Sequence, residues 1–151
     1  MLKFSAGFIA GFAALFILIL IFGDYKDEPR VSAQPVAASV NADTVLSAFG
    51  SAGIQVKNID RNPQIEQDSP LPRSFREHTA WRDALLDDKG GQLFVCDTRE
   101  LCASIAAYFQ MLTGLAGPYI YTSPSGVVVI QLNSSFTPDQ AARYKTVLDR
   151  F

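Results

Sequence analysis

Residues 4–23, FSAGFIAGFAALFILILIFG, contain no charged side chain. A helix of that length is about 30 Å long, which is the thickness of a bilayer's hydrocarbon core. The run reads as a transmembrane anchor and constrains the compartment and topology of everything after it. A secretory signal peptide is the competing reading, with Lys3 as its charged start. Such peptides carry a shorter apolar run followed closely by a small-residue cleavage site. Here the run is followed by DYKDEPR, and the nearest acceptable site is at residues 36–38. No cysteine lies near the run to take a lipid.

The anchor is patterned. Ala6, Gly7, Ala10, Gly11 and Ala14 share one helical face, and residues 7–11 form a GxxxG. Lipid gives helices no hydrophobic reason to associate, so close backbone approach through small residues is the usual substitute. Phe4, Phe8, Phe12 and Phe16 form a stripe on the other side. The expected partners are membrane lipid and other transmembrane subunits, the latter through the small-residue face. The competing reading is that Gly and Ala are common in such helices and match this spacing by chance.

Positive charge barely orients the span, with Lys3 before it and Lys26 and Arg30 after it. The short leading tail and the two cysteines, which favour an oxidising space, lean the same way. The expected location is the cell membrane, single-pass, with the amino terminus cytoplasmic and the carboxyl-terminal domain extracytoplasmic. Residues 24–41 read as a linker, charged first and then small and Pro-containing. Residues 42–151 read as one α+β domain. The chain has 13 Lys+Arg against 15 Asp+Glu, a net charge of −2. It shows no basic patch for nucleic acid and no polybasic collar for anionic lipid.

Within the domain, a helix begins at Asn41 or Asp43 with Val45, Leu46, Phe49 and Ala52 on its apolar face, and residues 54–59 alternate as a strand. Residues 61–80 hold Pro63, Pro70 and Pro72 and are denied a helix. His78 falls in this stretch beside Arg76 and Glu77. The favoured reading is a solvated surface loop, with a proton-handling or binding loop as the sharper alternative. Trp81, Leu85 and Leu86 fit no clear period, and DDKGG reads as a turn. Residues 92–96 form a short apolar strand. A helix follows with Leu101, Ile105, Tyr108 and Leu112 on its buried side and Cys102 and Ala106 beside them. A hairpin turns at residues 123–126, and Thr137-Pro138 opens the last helix. The order strand, helix, strand, strand, helix resembles most of a ferredoxin-like split unit. Its fourth strand would come from residues 54–59. The predicted fold class is a mainly antiparallel sheet with helices on one face.

Cys96 and Cys102 are the one chemical constellation. Cys96 ends a strand and Cys102 lies early in the next helix, close enough for a bridge. A structural disulfide is the favoured reading, ahead of two free thiols and of a redox pair, whose usual spacing is Cys-x-x-Cys. Two cysteines and one distant histidine cannot fill a closed zinc site, and haem attachment lacks its motif. No GxSxG, P-loop, dinucleotide fingerprint or HExxH is present. The expectation is therefore no catalytic, cofactor or metal residue. The expected function is a non-catalytic, single-pass accessory subunit of a larger bacterial membrane complex. In its architecture the chain is similar to small single-pass subunits at the edge of electron-transfer complexes, a likeness carried by no motif. The alternatives are a freestanding tethered module that binds a ligand or the envelope and, third, a thiol-disulfide enzyme.

Overall fold

The computed structural model describes residues 40–86 and 89–151. The anchor with its packing residues Ala6, Gly7, Ala10, Gly11 and Ala14, and the linker as far as residue 39, lie outside them. Among the described residues no helix is long and apolar enough to cross a membrane.

Helix α1, Ala42–Ser51, is capped by Asn41, whose side chain accepts from the Thr44 N–H at 2.8 Å. Ala42, Val45, Leu46 and Phe49 form its buried stripe. Three strands follow: β1 (Val56–Asp60), β2 (Glu77–Asp83) and β3 (Gly90–Val95). Helix α2, Arg99–Met111, and the single turn α3, Thr113–Ala116, lead to the hairpin β4 (Tyr119–Thr122) and β5 (Val128–Leu132). Helix α4, Pro138–Leu148, opens with a complete capping box between Thr137 and Gln140 and with proline in its first turn.

The sheet order is β1-β2-β3-β5-β4, and every neighbouring pair is antiparallel. The β3-α2-β4-β5 portion has the split arrangement, with β5 between β3 and β4. The strand beside β3 is β2, however, and not the run expected to fill that place. Residues 56–60 form β1 one position further out, at the edge. The two glycines expected in a turn instead begin β3, where Gly91 lies opposite both Trp81 and Leu132.

The expectation of helices on one face is also corrected. Central strand β5 is buried at every residue, so both of its faces need cover. Leu93, Val95, Val128 and Ile130 pack against α1 and α4 through Phe49, Tyr144 and Leu148. Phe94 and Val129, on the opposite face, pack against α2 through Cys102, Ile105 and Phe109. The buried side of α2 is thus Cys102, Ile105, Ala106 and Phe109: Ile105 and its two expected neighbours are buried, Phe109 takes the place expected of Tyr108, and Leu101 is exposed.

Candidate functional site: a groove beneath the 61–76 strap

Antiparallel neighbours need only a tight turn, yet β1 and β2 are joined by residues 61–76. This segment straps the same sheet face on which α2 lies mainly over β4 and β5. Leu71 is buried against Phe94, with Ile65 and Phe75 packed beside it. Ser74 Oγ donates to the Leu101 carbonyl of α2 at 2.9 Å. Arg73 donates back to the Glu66 carbonyl at 3.0 Å, closing the strap on itself. At its end Arg76 pairs with Asp97 at 2.9 Å and donates to the Val40 carbonyl at 2.7 Å.

Between strap, α2 and sheet lies a groove of about 700 Å³. Its floor is a row of side chains in register: Ala80 opposite Gln92 on β3, and Gln92 opposite Gln131 on β5. One step along β2, His78 lies opposite Phe94. Tyr108 and Phe109 of α2 form one wall, and residues 63–66 of the strap form another. Ala80 is the short residue of this row. A Cβ on Gly90 would run into the Trp81 carbonyl and the Arg82 backbone. At the β1 edge, Asn58 takes φ +51° beside an interruption in the β1–β2 register. Asn is among the few residues that enter the left-handed region readily.

A hydrogen-bond relay runs along the floor. His78 Nε2 lies 2.9 Å from Gln92 Oε1, and Gln92 Nε2 donates to Gln131 Oε1 at 3.4 Å. Gln131 Nε2 donates in turn to the Leu132 carbonyl at 2.7 Å. An amide oxygen can only accept, so this relay requires His78 to carry its proton on Nε2. Nδ1 is then an acceptor, buried and without a hydrogen-bond partner among the described residues. Burial holds the imidazole below its usual pKa of 6.5, partly opposed by the Gln92 hydrogen bond and by Asp60. The neutral ring sits over Phe94. Because its partner is an amide, His78 is held as a fixed tautomer and polarises no nucleophile through this bond.

His78 is therefore a buried strand residue and not part of a solvated loop. The segment EHTAWRD gave little signal: His78, Ala80 and Arg82 alternate with Thr79, Trp81 and Asp83 at a period of two, but neither set is uniformly apolar. Gln92 and Gln131 had no comparable signal, because each is one polar residue inside an apolar strand. Cys96 and Cys102 are joined by a disulfide with Cα atoms 5.6 Å apart, clamping the end of β3 to α2 behind the groove. Both are wholly buried. Tyr119 and Tyr121 point to the α1–α4 side of the sheet, away from the groove. Among the described residues no group of three or more His, Cys, Asp or Glu side chains stands close enough to hold a metal ion. No family model matches this chain, nor does any curated protein or solved structure.

Proposed function

We propose that this chain is a non-catalytic, membrane-tethered binding module whose domain stands on the extracytoplasmic side and works through the groove. The observation that carries the reading is the groove itself, whose floor holds a buried polar relay ending in an unpartnered acceptor. A site of this volume with a few placed polar groups is the usual form of a small-ligand pocket. The disulfide supports an oxidising compartment, and the uncharged run at residues 4–23 supports the tether. The strap also bears on the choice between readings. A long irregular loop suggests docking to a partner subunit, but here its apolar residues pack on the domain's own sheet.

A second reading, an accessory subunit of a larger membrane complex, is favoured by a different observation. Met111 and Leu115 stand 78% and 86% exposed at the end of α2 and in α3. Together they offer an apolar contact outside the groove. Protease treatment of intact spheroplasts, followed by gentle extraction and native sizing, tests both readings. Cleavage of the domain from outside, with migration alone or as a small oligomer, is expected of the module. Co-migration with larger proteins supports the accessory subunit, and protection from external protease overturns the assigned side.

A further inference from the structure

We propose that the groove takes a neutral, hydroxyl-rich ligand, a saccharide. This rests on the reading of the chain as a binding module and adds the class of ligand. Carboxamides dominate the polar lining: Asn58, Gln64, Gln92, Gln131 and Asn133. A carboxamide carries two N–H donors and an acceptor oxygen on an uncharged plane. A sugar hydroxyl also both donates and accepts, so rows of carboxamides complement rows of hydroxyls. The floor's polar groups are linked amides without formal charge, so a ligand that both donates and accepts meets them better than a pure donor or a pure acceptor.

Other ligand classes fit less well. An anion is held by converging cations, and here Arg82 lines the groove together with the opposing Glu66. A wholly apolar ligand would strip water from the carboxamides and return no hydrogen bond, which costs more than its contact area recovers. A peptide recognised through its main chain adds to a sheet edge, whereas this groove crosses the sheet face beneath a strap. Tyr108 completes the match. Its half-exposed ring gives the apolar C–H face of a sugar a surface to lie on while the hydroxyls meet the amide row.

The test uses the full chain in nanodiscs of zwitterionic lipid, because sugar-headed detergents would compete. Cellotriose, maltotriose and triacetylchitotriose are titrated by calorimetry and by saturation-transfer NMR, with trialanine and a sulfated disaccharide as comparators. Saturable binding of at least one neutral trisaccharide is expected, weakened at least tenfold by Ala80→Phe, which fills the floor. Tyr108→Ala, on the half-exposed wall, is expected to weaken it severalfold and guards against a folding failure of the floor variant. The inference is overturned if none of the three sugars binds, if binding is unchanged in both variants, or if trialanine or the sulfated sugar binds in their place. None of these outcomes alters native size or protease accessibility, so the binding-module reading stands or falls separately.

Discussion

The imidazole of His78 lies almost flat on the ring of Phe94, with centroids 4.4 Å apart and planes 12° from parallel. Phe75 closes on the pair at 5.4 Å from each ring. An imidazolium in this place would need a partner for both nitrogens, and only Nε2 has one among the described residues. The neutral ring is the form that this packing accepts.

Stability is therefore expected to depend on pH through His78. The folded-state pKa lies below the ordinary 6.5, so below that pH the unfolded chain binds a proton that the folded chain resists. The contribution is complete above about pH 6.5 and is lost as the pH falls through the lowered folded value. Urea unfolding at pH 7.5, 6.0 and 5.0 should show decreasing stability. The His78→Phe variant should show a shallower decline over the same range, and an identical decline would assign the effect to other groups.

How much of this was readable beforehand differs by element. Helices α1 and α4 announce themselves because caps and stripes are local: Asn41 before Val45, Leu46 and Phe49, and Thr137-Pro138 before Ala141 and Tyr144. The hairpin was equally plain, since proline and glycine punctuate its turn. Strand β2 was not. Its groove-facing residues, His78, Ala80 and Arg82, are the ones a surface loop would carry, and the cover over His78 and Ala80 comes from a strap and a helix distant in sequence. The groove exists only in register, when Ala80, Gln92 and Gln131 come side by side from three strands. Periodicity along a single strand cannot report such a row.

The Cys96–Cys102 bond should behave as a structural staple. Both sulfurs are shielded from solvent, so no thiolate can attack without the domain opening. Native protein in millimolar dithiothreitol should keep the bond for hours, while the urea-unfolded protein loses it quickly. Mass spectrometry after alkylation distinguishes the two. The Cys96→Ala/Cys102→Ala protein should be less stable by about 2 kcal/mol, because the closed loop is short. Rapid reduction of the folded chain would revive the redox reading.

Tyr144 donates to Asp83 Oδ2 at 2.6 Å, joining α4 to the end of β2, while Asp83 Oδ1 accepts from the Leu85 N–H at 2.9 Å. Tyr144→Phe removes one partner from a buried carboxylate and should cost about 2 kcal/mol in urea unfolding. Burial, with the Asp83 bond, raises the phenol well above its ordinary pKa of 10.0. The unfolded chain releases this proton near pH 10 and the folded chain holds it, so stability should fall as the pH rises beyond that point. Ultraviolet titration should show one tyrosine that ionises only on alkaline unfolding, and its absence in Tyr144→Phe assigns it.

The strap should open before the sheet does. Its hold on the domain is Leu71, 8% exposed above Phe94, together with the Ser74 bond to α2. Leu71→Ala removes the apolar anchor and leaves a void partly reached by solvent, for a loss of about 2 kcal/mol at the low end of such substitutions. The position of that loss is the sharper expectation. Local opening draws on the weakest-held segment first, so amide exchange should accelerate over residues 61–76 far more than in β3 or β5. Limited proteolysis should cut within the strap while α1 and α4 remain protected. Uniform acceleration across the domain would mean that the strap unfolds only with the sheet, and the groove would then have a fixed wall instead of one able to move.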